Sequence, residues 1–186
     1  GSGTPLIKGD FAAKTVNISG SLGVTGSINN LLIGPGGGNI ASNISIGSTT
    51  NISPTSTGVG HNIAIGCDAL KNNTSGIGNT AIGLNALRCN TTGSFNVSIG
   101  YRPLEFNSGS NNTAIGNRAL NNNTAGTHNT AIGFCALNTN TIGTNNTAIG
   151  NCALFTNTSG SNNIALGQNS GRFFSGSSSN NIAIGF

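Results

Sequence analysis

A phrase of about seventeen residues recurs through most of this chain: Asn-x-Ala-Ile-Gly, then Ala-Leu, then Asn-Thr, then Gly. The Gly that closes the first motif falls at Gly47, Gly66, Gly83, Gly100, Gly116, Gly133, Gly150, Gly167 and Gly185, in steps of 19, 17, 17, 16, 17, 17, 17 and 18 residues. Repetition this regular confines the chain to a quasi-one-dimensional architecture, in which each unit rests only on its neighbours. It also argues against a catalyst, because an active site needs singular residues and this chain is mostly copies.

Composition narrows the choice. Only 5% of the 186 residues are charged and 5% aromatic, with no Trp or Met and 30 Gly. Gly, Ser and Asn tracts often stay unfolded. Here, however, the apolar residues return in register with β-branched Ile, which favours order. The net charge of +4 reflects scarce acid rather than a basic patch. Lys71, Arg88, Arg118 and Arg172 are spread along the repeats, so no nucleic-acid partner is expected. No apolar run approaches the roughly 20 residues that span a bilayer, and no membrane insertion is expected. Residues 1–3 read as an expression scar, and the chain as part of something longer.

One unit, Asn79-Thr80-Ala81-Ile82-Gly83, reads as a short strand stopped by Gly. Alternation puts Thr80 and Ile82 on one face and Asn79 and Ala81 on the other. The Ile position is Ile46, Ile65, Ile82, Ile99, Ile115, Ile132, Ile149, Leu166 and Ile184; the position before it is always Ala or Ser. Both faces are restricted, so the strand is expected to be covered on both sides. The Ala-Leu pairs (Ala86-Leu87 and equivalents) read as a second short strand, followed by a solvent-facing column at Lys71, Arg88, Glu105, Asn121, Asn138, Phe155 and Arg172. Asn-Thr and Gly then turn the corner.

Two strands and two turns in this length make one coil of a parallel β-solenoid, or β-roll; helical repeats need about 33 to 47 residues. The expected fold is all-β, with about nine coils over residues 41–186 and a cap or stalk segment over 4–40. Stacking at about 4.8 Å gives a rod roughly 40 Å long. The unbroken column Asn43, Asn62, Asn79, Asn96, Asn112, Asn129, Asn146, Asn163 and Asn181 predicts an amide ladder. A coil enclosing an Ile, a Leu and some Ala barely offsets its conformational entropy. The Ala/Asn face is therefore expected to pack on its equivalents from two other chains, giving a parallel homotrimer.

Residues 79–93 and 129–143, Asn-Thr-Ala-Ile-Gly-x-x-Ala-Leu-x-x-Asn-Thr-x-Gly, resemble repeats of trimeric fibre proteins. Such repeats occur in phage tail fibres, fibres of large algal viruses and surface adhesins. The Asn-x-x-Ile-Gly core also resembles the β-roll heads of bacterial trimeric autotransporter adhesins, whose repeat is shorter. The resemblance implies a trimeric fibre and covers about residues 43–186.

Singular residues are few. Cys135 and Cys152 share a register, so adjacent coils would stack them near disulfide distance, while Cys67 and Cys89 sit in other registers. The plainer reading of these thiols is small apolar filler. His61 and His128 lie at turns, and no metal or cofactor is expected. Asp68 and Glu105 stand in different columns, which gives a glycosidase-like carboxylate pair little support; the chain reads as no enzyme. Asn-x-Ser/Thr sequons follow almost automatically from an Asn/Thr-rich repeat.

The reading is a structural fibre or adhesin module, most simply part of a viral fibre on the virion surface that mediates host attachment. Its partners would be itself and a host receptor, with a glycan among the candidates. The residues that break the repeat outward, and so could touch a receptor, are Tyr101, Arg102, Phe106, Phe155, Arg172, Phe173 and Phe174. The alternatives are a bacterial adhesin head, a self-assembling extracellular filament, and an ice-binding solenoid using the column Thr74, Thr91, Thr124, Thr141 and Thr158. The last fits less well, because that column lies at a Gly-rich corner.

Overall fold

The computed structural model describes residues 43–46, 60–174 and 176–185. The expected cap or stalk over 4–40 lies outside them. Each repeat phrase contributes one three-residue strand: β1 Ile44–Ile46, β2 Ile63–Ile65, β3 Thr80–Ile82, β4 Val97–Ile99, β5 Thr113–Ile115, β6 Thr130–Ile132, β7 Thr147–Ile149, β8 Ile164–Leu166 and β9 Ile182–Ile184. The nine strands form one parallel sheet in chain order, and no helix occurs among the described residues. The fold is a parallel β-solenoid. Register advances one phrase per rung, with Thr80, Ala81 and Ile82 opposite Val97, Ser98 and Ile99.

The Ala-Leu segment is not a second strand, as the alternation suggested, but a run of turns. Its backbone shows why. The residue before the Ala and the Leu itself are both left-handed, as at Asn85 (φ 56°) and Leu87 (φ 52°). A segment that visits this region at every other residue winds instead of extending. The left-handed region disfavours Leu by about 1–2 kcal/mol. Burial offsets this: Leu70, Leu87, Leu104, Leu120, Leu137 and Leu154 are all fully buried, which contributes about 1.5–3 kcal/mol each.

The two faces of the strand are the reverse of the expectation. Ala64, Ala81, Ala114, Ala131, Ala148 and Ala165 point into the coil and are fully buried, packed with the Ala-Leu pairs. The Ile column lies on the outside, with Ile115 36% and Ile149 40% exposed. The Ala/Asn face is therefore already used within the chain and is not free to meet other chains. The reason is space. In the coil where Ser98 replaces the strand Ala, its hydroxyl donates to the carbonyl oxygen of Pro103 on the opposite wall at 2.9 Å. With the Leu of the opposite wall already inside, the strand's inner position has room for Ala or Ser, and its Ile faces outward.

The Asn ladder runs as expected, with one refinement. At every step the side-chain oxygen accepts the backbone N–H of the next Asn, from Asn43 to Asn62 at 2.9 Å through to Asn163 to Asn181 at 3.0 Å. Direct amide-to-amide bonds join only some rungs, such as Asn146 Nδ2 to Asn129 Oδ1 at 3.1 Å. A second ladder is also present. Asn73, Asn90, Asn107, Asn123, Asn140 and Asn157, read from sequence as turn residues, are buried and linked amide to amide at 2.8–3.0 Å. Both ladders donate to the same glycine carbonyl: that of Gly126 accepts from Asn112 at 2.9 Å and Asn123 at 2.8 Å. Buried amides are thus satisfied in both directions, which removes the penalty for placing them in the interior.

Glycine is required at the ends of β2 to β8 for two reasons. Gly133 has φ +134°, and a Cβ there would lie 2.5 Å from the carbonyl oxygen of Gly150. A side chain would be strained in itself and would push the coils apart. The pattern changes at the rung of Gly171 and Phe174, which stand where Leu and Asn are expected. A Cβ on Gly171 would lie 3.0 Å from Leu154 and 3.0 Å from the Phe174 ring, so the ring fills the space a Leu would have taken. Phe174, expected to face outward, instead packs against the core. With no Asn in this rung the second ladder stops, and Asn157 Oδ1 has no partner in the structure.

Candidate functional site

The described residues contain no group of three or more His, Cys, Asp and Glu placed to hold a metal ion. The acids among the described residues, Asp68 and Glu105, are engaged by cations. Asp68 lies 3.2 Å from Lys71 and 3.4 Å from Arg88. Glu105 is buried, accepts from Arg102 Nε at 2.7 Å and Nη2 at 3.2 Å, and also accepts from Asn121 at 3.3 Å. Glu105 and Asn121 thus depart from the solvent-facing column expected of them. The hydrogen bond and charge of Glu105 raise the pKa of Arg102 further above its ordinary value. Arg102, a receptor-contact candidate, is committed to this pair.

Cys135 and Cys152 are both buried, and all four cysteines are free thiols. Their backbones hold equivalent places in adjacent coils: Cys135 N–H donates to Asn117 O and Cys152 N–H to Phe134 O. Burial, and then the neighbouring Cys152, push the Cys135 thiol pKa up. The protonated form is favoured, as expected of filler rather than of a nucleophile.

What the molecule presents outward is two surfaces. The first is the outer face of the sheet. One column runs Ile63, Thr80, Val97, Thr113, Thr130, Thr147, Ile164 and Ile182; the other is the Ile column, ending at Leu166 and Ile184. Every one of these side chains is half-buried or exposed. Two residues past the Ile, the exposed Leu84, Tyr101 and Phe134 extend the apolar margin. The result is a continuous β-branched stripe along a chain whose other surface is mostly Asn, Ser, Thr and Gly. A contiguous patch of this kind marks an interaction surface.

The second is a cluster of repeat-breaking residues from two adjacent coils. The Arg172 guanidinium carbon lies 5.6 Å from the ring centre of Phe155 and 5.5 Å from that of Phe173. Arg172 Nη1 donates to Asn169 Oδ1 at 2.8 Å. The backbone is pinned from below: Thr156 Oγ1 donates to the carbonyls of Arg172 at 2.6 Å and Phe174 at 2.9 Å. Phe173 is 85% exposed. Of the other candidates, Tyr101 and Phe106 are exposed but stand apart from this cluster in the coil that holds Glu105.

The Thr74, Thr124, Thr141 and Thr158 hydroxyls of the corner column are donated to the next coil's carbonyls at 2.9–3.0 Å. No helix among the described residues is long and apolar enough to cross a membrane. No family model matches the chain, and neither a curated protein nor a solved structure shows significant similarity to it.

Proposed function

We propose that this chain is the rod of an attachment fibre, assembled as a parallel homotrimer whose shared axis is lined by the Thr/Ile face. The observation that carries this reading is the outward-facing Ile column, half-buried or exposed on every described rung of a chain otherwise dominated by small polar residues. A typical coil encloses little more than two small residues, one Leu and two Asn, so covering the outer Ile and Thr side chains would add to its apolar burial. Parallel stacking in constant register gives a stripe that three copies can share along a straight axis. Three chains would also multiply weak receptor contacts.

The same reading places the fibre on a virion, where free cysteines suit assembly in a reducing cytoplasm before release. A bacterial adhesin head and an extracellular filament remain its alternatives. Static light scattering at two protein concentrations tests the assembly. A mass near three times 18.4 kDa is expected, and a concentration-independent single-chain mass overturns the trimer.

A second reading gains from the structure. The corner Thr column is poorly placed for ice binding, but Thr80, Thr113, Thr130 and Thr147 form another on the strand, beside Ile. Thermal hysteresis from a monomeric chain would favour ice binding; its absence from a trimer removes it.

A further inference from the structure

We infer that Arg172, held between Phe155 and Phe173, is a binding site for the carboxylate of an acidic saccharide. The inference rests on the attachment reading and gives it a place and a ligand chemistry. Three residues that break the repeat converge here through stacking alone. Phe155 and Arg172 are seventeen residues apart in the same column, and Phe173 follows Arg172. In the two coils of Asn121 and Asn138, the corresponding places hold Asn-Asn and Asn-Thr.

Both rings lie within cation–π range of the guanidinium, at 5.6 and 5.5 Å, and favour its position beside them. One donor is taken by Asn169, and the others have no hydrogen-bond partner within the described residues. A planar guanidinium edge matches a carboxylate with two parallel hydrogen bonds. No acid among the described residues competes for it: these are Asp68 and Glu105, in other coils and already paired. The chain's net charge of +4 favours an anionic partner.

Phe173 supplies the second half of recognition. Its exposed ring offers an apolar face on which the C–H face of a sugar can stack beside the carboxylate. The cluster also lies outside the Thr/Ile strand columns that would line the proposed shared axis.

The test is saturation-transfer NMR on the full chain with sialyllactose and a glucuronate-ended oligosaccharide as probes and lactose as the neutral control. At least one acidic probe is expected to bind and lactose to bind far more weakly. Arg172→Gln and Phe173→Ala should each weaken binding at least about tenfold, as expected for a lost charged hydrogen bond or stacking partner. Circular dichroism and solution mass should be unchanged, which separates a binding effect from misfolding. Equal binding of lactose, silence from both acidic probes, or full binding retained by both variants overturns the site. A chain with the three-copy mass but no response to either acidic probe loses the site and keeps the fibre. A monomer that binds through Arg172 does the reverse.

Discussion

At the scale of a residue, the fold turns on side chains held where their type is uncommon. Leu137 has φ 51° and is fully buried, so its packing must offset its backbone strain. This gives an unusual ordering of variants. Leu137→Ala loses the core contacts and keeps the strain, and is expected to cost about 2–5 kcal/mol. Leu137→Gly loses slightly more volume but relieves about 1–2 kcal/mol of left-handed strain. Chemical denaturation should therefore find the Gly variant no less stable than the Ala variant, contrary to the usual order in regular structure. Gly171, at φ +60° in the same column, shows the chain making this exchange where Phe174 fills the gap. Cys135 supplies a pH dependence. Its thiol pKa is raised by burial and by Cys152, so the folded state favours the neutral form. The stabilisation is complete below the ordinary thiol pKa of about 8.5 and is lost as pH rises through the raised value. Thermal melts should thus fall in midpoint above that pH, and Cys135→Ser should flatten part of the fall.

At the scale of an element, each strand divides its two faces sharply. Ala131→Leu puts a large side chain at an inward strand position that is already packed against the core Leu, and should cost about 1–3 kcal/mol or more. Thr130→Leu, one residue earlier and pointing outward, should change single-chain stability by no more than about 0.5 kcal/mol. Denaturation midpoints measured under monomeric conditions distinguish the two. This division marks where sequence reasoning stopped. The Gly spacing located all nine strands, and the unbroken Asn column located the first ladder. Alternation separates Thr80 and Ile82 from Ala81, but period two alone does not say which set is inside. Assigning the Ile to the core failed because the Leu of the opposite wall already fills the coil and leaves the strand room only for Ala or Ser. The second ladder was legible by the same test as the first: Asn73, Asn90, Asn107, Asn123, Asn140 and Asn157 recur in six successive coils until Phe174 breaks the column. The wound Ala-Leu segment was not legible, since nothing about Leu signals a left-handed backbone. Nor were Phe174's inward turn and the convergence of Phe155 with Arg172, because each depends on how a departure in one coil meets the coil below.

At the scale of the whole molecule, one asymmetry organises the account: polar amides are buried in ladders while branched apolar side chains line the outside of the sheet. The interior is complete without a partner, since both ladders and the Ala-Leu core close within one chain. The exterior is not. A stripe of Ile and Thr spanning every rung exposes apolar surface to water and invites association along its full length. The measurement that tests this most directly is the sedimentation mass of the chain beside that of an Ile115→Lys, Ile132→Lys, Ile149→Lys variant. Those positions lie on the sheet's outer face, away from the core. The account predicts three times 18.4 kDa for the unmodified chain, and a folded single-chain mass for the variant with its β circular dichroism intact. An unmodified chain that stays a monomer, or a folded variant that keeps the three-chain mass, contradicts it.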